Sequence, residues 1–237
     1  MSDSASNSNS ASNSSSELNT AGLRRKPRQA RSQERVDRIL AVAEALFTTE
    51  GYGKTTTNAI AAQAQVPIGS FYQFFPDKAA ILQALTIRYT NQLQQYLKRL
   101  LDTADVAALP LPEYVEQLID ATDQFFTENP GYYAIFMEAQ STIPDFNEID
   151  RAADMALIED LSTAFAQRNP TLTQEDCEVV GFVVIKVIGN LLWLSIDQDP
   201  IRRQRLVLET KKLALSYLQN YFPSNTSNLD ESLGSTT

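Results

Sequence analysis

The chain has 237 residues, 43% of them hydrophobic, and a formal net charge of −9; that composition can bury a core in one large domain or two modest ones. It holds no histidine and one cysteine, Cys177, which removes the commonest general base and the commonest zinc ligand and leaves no intrachain disulfide to form. Charge is unevenly spread, −2 over residues 1–23, +5 over 24–88 and −12 over 89–237, so only the middle segment should welcome a polyanion.

Residues 1–23 are nearly all Ser, Asn and Ala, with no apolar run of signal-peptide length. Such a segment buries too little to offset the entropy of ordering, so it is expected to be disordered, as is the tail 223–237. A basic cluster follows, Arg24, Arg25, Lys26, Arg28, Arg31, Arg35 and Arg38. Val36, Ile39, Leu40, Ala43, Leu46 and Phe47 then recur at helical steps and predict a first amphipathic helix, ended by Gly51 and Gly53. A short second helix is expected from Thr56 or Thr57, either of which can supply an N-cap hydroxyl, with Ile60, Ala61 and Ala64 facing inward. The stretch VPIGSFYQFFPDK, Val66 to Lys78, packs four aromatic rings into five residues between prolines. It predicts a very short helix entered by a tight turn at Pro67 and Gly69.

Another helix begins at Pro76–Lys78 and runs past Leu100. Beyond Pro112, further helical patterns cover EYVEQLIDATDQFFTEN, YYAIFMEAQ, and the run from Ile149 to Phe165. A helix capped at Thr173, with acids in its first turn, carries Cys177 as a small filler. The last helix starts after Pro200. Residues 179–196 contain one charge, Lys186, plus Asn190. That length approaches a membrane span, but a central lysine costs about 3 kcal/mol there. The expectation is a helix buried on nearly all sides, with Gly181 and Gly189 admitting a neighbouring backbone and Lys186 meeting a carboxylate. This makes about nine helices and no strand: an all-α chain. With no leader and one cysteine, a cytoplasmic setting is expected and no membrane.

Two short helices joined by a tight turn make a helix-turn-helix, whose second helix enters the DNA major groove. Phe71, Phe74 and Phe75 would fill a small core. Tyr72 could reach a phosphate, Ser70 and Gln73 could meet base edges, and Lys78 would bring a cation to the backbone. Here TTTNAIAAQAQVPIGSFYQFFPDKAAIL resembles the DNA-binding domain of TetR-family transcriptional regulators. Thr57, Ile60, Ala61, Ala64, Val66, Gly69, Tyr72, Phe75, Lys78 and Leu82 fall where that pattern has Thr, Ile-Ala, Ala, Val, Gly, Tyr, Phe, Lys and Leu. Pro67 departs from it, standing where a small polar residue is common.

The resemblance implies a homodimer paired through the last two long helices. It also implies a DNA-binding domain over 24–78 with its basic arm, and a helical ligand-binding and dimerisation domain over 79–222. The candidate DNA contacts are Arg28, Arg31, Thr57, Asn58, Ile68, Gly69, Ser70, Tyr72, Gln73 and Lys78. An apolar small-molecule effector would meet Phe125, Phe126, Tyr133, Phe136, Met137 or Trp193. The reading is a repressor released from a near-palindromic double-stranded operator by that effector, with no cofactor, no metal and no catalysis. The alternatives are a helical protein-interaction module and an enzyme working through carboxylates such as Glu148, Asp154 and Glu159, which match no metal or catalytic motif.

Overall fold

A computed structural model describes residues 30–223. The N-terminal tail, the C-terminal tail beyond Pro223, and Arg24, Arg25, Lys26 and Arg28 lie outside the described residues. Among the described residues there are ten helices and no strand: α1 (Ala30–Thr49), α2 (Thr57–Gln63), α3 (Ile68–Phe74), α4 (Lys78–Leu101), α5 (Ala104–Ala107), α6 (Leu111–Glu128), α7 (Pro130–Thr142), α8 (Phe146–Arg168), α9 (Gln174–Ser195) and α10 (Pro200–Leu218). The addition to the expected set is α5, four residues long and too short to show a period. Two compact units form, residues 30–93 with 128–153 and residues 94–127 with 154–223. Compaction therefore does not divide at residue 78, because α4 and α8 each contribute to both units.

In the first unit, the buried side of α1 is the predicted stripe, Val36 through Phe47. It packs on α2, whose Ile60 and Ala61 are buried, as are the rings Phe71, Phe74 and Phe75 and Ile81, Leu82 and Leu85 of α4. Each such side chain contributes about 1.5–3 kcal/mol on leaving water, so this small unit has its own core. Gly51, at φ 88°, makes the left-handed exit from α1. Asp77 caps α4, its carboxylate accepting from the Ala80 amide at 2.8 Å; the helix starts one residue beyond Asp77, with Pro76 outside it. At the start of α7, a Cβ on Gly131 would stand 2.7 Å from the Tyr89 hydroxyl and 3.0 Å from a Glu44 carboxylate oxygen. Those two groups are hydrogen-bonded to each other. A side chain at 131 would push the ends of Tyr89 and Glu44 aside.

In the second unit, charged groups link helices far apart in sequence. Arg203 of α10 donates to Asp123 at 2.6 Å and to Thr127 at 3.0 Å on α6. Lys211 pairs with Asp120 at 2.7 Å and Glu116 at 3.2 Å. Arg168 donates to the Leu109 and Ala107 carbonyls, at 2.7 and 3.2 Å, and ties down the segment after α5. Thr173 and Asp176 form a reciprocal capping box at the start of α9. Cys177 is buried just inside it.

One expectation fails here. Helix α9 is not enclosed on nearly all sides. Val180, Val184, Ile188 and Leu192 are buried, while Val179, Phe182 and Leu194 are 56%, 51% and 63% exposed. Its single internal charge, Lys186, pairs with Asp154 of α8 as expected. Gly181 faces the α8 backbone, with the Ile158 carbonyl 3.6 Å from a would-be Cβ, but nothing stands within 4 Å of that position on Gly189. By length and hydropathy α9 could cross a membrane. On α10, Ile201 and Leu208 are exposed as well.

Candidate nucleic-acid interface

The helix-turn-helix is built from α2 and α3. Thr56, not Thr57, is the N-cap of α2: its hydroxyl accepts from the Ala59 amide at 3.1 Å. The turn between the helices is not made by Pro67 and Gly69. Its left-handed residue is Gln65, at φ 55°, and the Val66 amide closes the turn on the Ala61 carbonyl at 2.9 Å. Pro67 is the N-cap position of α3; its carbonyl accepts from Ser70 and Phe71 at 2.8 and 3.0 Å. Gly69 lies within α3, not at positive φ, and nothing stands within 4 Å of where its Cβ would be. Nothing marked Gln65 in the sequence, since glutamine has no preference for left-handed backbone.

Two sides of α3 have separate tasks. Phe71 and Phe74 are buried and fix the helix by packing. Ile68, Gly69, Tyr72 and Gln73 are exposed and Ser70 is half-buried, with Ile68 and Tyr72 each 40% exposed. Tyr72 also leans edge-on to Phe71, ring centroids 5.5 Å apart, which restrains its ring. Its hydroxyl lies 3.0 Å from that of Thr57, so two hydroxyls from two helices converge on one point of the surface. Asn58 is exposed one residue further along α2, and Arg31 is exposed in the first turn of α1. Of the expected contacts, Thr57, Asn58, Ile68, Gly69, Ser70, Tyr72 and Gln73 thus come together on the α2–α3 unit.

Lys78 is placed otherwise than a free surface cation. Its ammonium donates to the carbonyls of Tyr52 at 2.6 Å and Thr55 at 3.1 Å and stands 4.0 Å above the Tyr52 ring. Tyr52 itself meets Phe47 edge-on at 5.0 Å. The sequence shows the Gly-Tyr-Gly link, but not that its ring and carbonyls receive a lysine 26 residues away.

The six candidate effector residues fall in two groups. In the second unit, Phe125 and Phe126 are buried, Phe125 near Tyr96 at 5.9 Å and Phe126 edge-on to Trp193 at 5.9 Å. In the first unit, Phe136 packs on Tyr132 and Phe146, Tyr133 is half-buried and Met137 is exposed. A groove of about 580 Å³ in the first unit, lined by Glu44, Thr48, Tyr89, Glu128 and Pro130 among others, includes none of the six.

The chain is similar to known proteins. The family described as bacterial regulatory proteins, tetR family, matches residues 39–85, and the tetracyclin repressor-like C-terminal domain matches residues 110–218. The uncharacterized HTH-type transcriptional regulator YxaF of Bacillus subtilis is 26% identical over 186 residues, covering 74% of this chain and 95% of that protein. YerO, another uncharacterized HTH-type transcriptional regulator of Bacillus subtilis, is 26% identical over 116 residues, 49% of this chain and 39% of that protein. In fold, the chain is similar to the crystal structure of a TetR-family transcriptional regulator from Streptomyces coelicolor, with a TM-score of 0.58 and 24% identity over 79% of this chain and 99% of that one.

Proposed function

The chain belongs to the TetR family of transcriptional regulators, and we propose that it is a repressor that two copies hold on a near-palindromic operator until a small molecule releases it. The observation that carries the DNA-reading part is the division of α3: phenylalanines anchor one side, while the other presents Ile68, Gly69, Ser70, Tyr72 and Gln73 beside Thr57 and Asn58. Such a face suits the major groove, with short polar groups at base edges. The converging Thr57 and Tyr72 hydroxyls, 3.0 Å apart, suit a single phosphate, which accepts from the hydroxyl that is not donating to the other, or from both once they part. Arg28, before α1, and Arg31, in its first turn, extend the contact along the backbone. No step in this reading is catalytic and none calls for a cofactor or metal.

Residues 24–78 act as the reading head and 79–222 as the sensing and pairing body. Pairing uses α9 and α10, whose outer residues Val179, Phe182, Leu194 and Ile201 are exposed in the single chain. The effector is largely apolar and is sought first around Phe125, Phe126 and Trp193, then at Tyr133, Phe136 and Met137. It acts by binding better to a head spacing that does not fit the operator, and its effect is bounded by that difference in affinity. The setting is the cytoplasm, where operator DNA is accessible.

Footprinting the purified protein on the DNA flanking its own gene, then gel-shift titration, tests the reading. Tyr72→Ala is expected to lose operator affinity by on the order of tenfold or more while remaining folded and dimeric, as befits the loss of a hydroxyl that donates to a charged phosphate. Wild-type affinity in that variant would remove Tyr72 from the interface. A wild-type protein with no footprint, yet with firm binding to an acidic protein, would favour an interaction module instead.

A further inference from the structure

We infer that Lys78 serves DNA binding as a positioning residue, clasping the turn that sets α2, rather than as a phosphate ligand. The inference rests on the DNA-binding reading and assigns one residue's way of acting within it. The ammonium is held by two carbonyls of the α1–α2 turn, Tyr52 at 2.6 Å and Thr55 at 3.1 Å, and by the Tyr52 ring at 4.0 Å. Charge-assisted bonds of this kind are about twice as strong as neutral ones, and both here are partly buried.

The clasp leads by short steps to the reading surface. Thr55 is bonded back to Gly51 through its hydroxyl at 2.9 Å and its amide at 3.3 Å. Thr56, next in the chain, caps α2 through the Ala59 amide, and its carbonyl accepts from Ile60 at 3.1 Å. Thr57 then meets Tyr72 of α3. A turn pulled towards Lys78 therefore fixes where α2 begins, and so where the paired hydroxyls stand. Without the ammonium, the Tyr52 and Thr55 carbonyls lose their shared donor and the turn loses its anchor to α4.

Salt dependence separates the two roles. A lysine that neutralises a phosphate contributes roughly 0.9 to the slope of log affinity against log salt; a clasp contributes through geometry. Lys78→Met and Tyr52→Leu are titrated against the footprinted operator at several salt concentrations, with thermal unfolding to verify folding. Both are expected to bind on the order of tenfold more weakly, with slopes within about 0.3 of wild type. A slope lower by ~0.9 in Lys78→Met, with Tyr52→Leu binding as wild type, would restore the phosphate contact and overturn the inference. Amide exchange in the free protein reads the clasp without DNA: Ala59 and Ile60 should lose protection in both variants. Unchanged protection overturns the inference by itself, whereas a wild-type protein that binds no operator bears on the DNA-binding reading alone.

Discussion

Gly69 stands inside the seven-residue helix α3, although glycine costs a helix interior roughly 0.5–1 kcal/mol relative to alanine. Among the described residues nothing requires the absent side chain, since none lies within 4 Å of its would-be Cβ and its φ is not positive. On the proposed reading the requirement comes from outside, from a groove wall or base edge approaching the start of α3. Gly69→Ala should therefore raise the unfolding free energy by up to about 1 kcal/mol and at the same time weaken operator binding. Thermal unfolding and gel-shift titration read the two effects, and a variant more stable yet equally tight would cancel the close approach. Gln65 presents the opposite case. Its left-handed backbone, φ 55°, costs a residue with a Cβ roughly 1–2 kcal/mol, yet the cost is met by the turn that sets α3 against α2. This is why the turn was misread in the sequence: the glycine and proline that mark turns by composition stand a few residues further on, inside the recognition helix and at its cap.

At the scale of helices, the sequence was legible wherever burial is one-sided. The α1 stripe from Val36 to Phe47 and the inward side of α2 appear as read, because a helix packing on one core writes a 3.6-residue period. The cap at Thr173 was legible because a hydroxyl followed three residues later by a carboxylate has few other uses. Helix α5 was not, having a single turn and no room for a period. Helix α9 was misread as enclosed because composition reports that a side chain avoids water, not which molecule shields it. In the site, the exposure of Tyr72 and Gln73 could be read from their alternation with Phe71 and Phe74, but the bonds of Lys78 join segments whose spacing no local pattern records.

The first turn of α6 offers a test of burial against hydrogen bonding. Tyr114 is 2% exposed, and its hydroxyl has no hydrogen-bond partner among the described residues. Burial pushes its pKa up, with Arg168 opposing. The guanidinium lies 4.3 Å over the ring and so needs the ring but not the hydroxyl. An unmet buried donor costs about 1–3 kcal/mol. Tyr114→Phe should therefore hold or raise stability, by about 1 kcal/mol, where most substitutions in a core lower it. Loss of stability on denaturant unfolding would mean that the hydroxyl has a partner after all.

For the whole molecule, the surface proposed to pair two copies is the outer side of α9 and α10. Val179, Phe182, Leu194 and Ile201 are each more than half exposed, apolar area that pairing would withdraw from water. A two-fold interface pairs a patch with its own copy, so the same residues occur on both sides and an error there counts twice. Phe182→Arg sets two like charges into such a face, and losing an aromatic hot spot costs about 2 kcal/mol or more. The dimer should weaken by roughly 30-fold or more, read by sedimentation equilibrium. Operator binding must follow, because two joined heads gain roughly 10²–10⁴ over one by effective concentration. The variant should thus lose most of its operator affinity although no residue of α2 or α3 has changed, and its remaining binding should be that of single heads on half-sites. Phe182→Arg chains that stay dimeric at wild-type strength would place the pairing face elsewhere. Monomeric chains that still bind the full operator as tightly as wild type would break the link between pairing and reading.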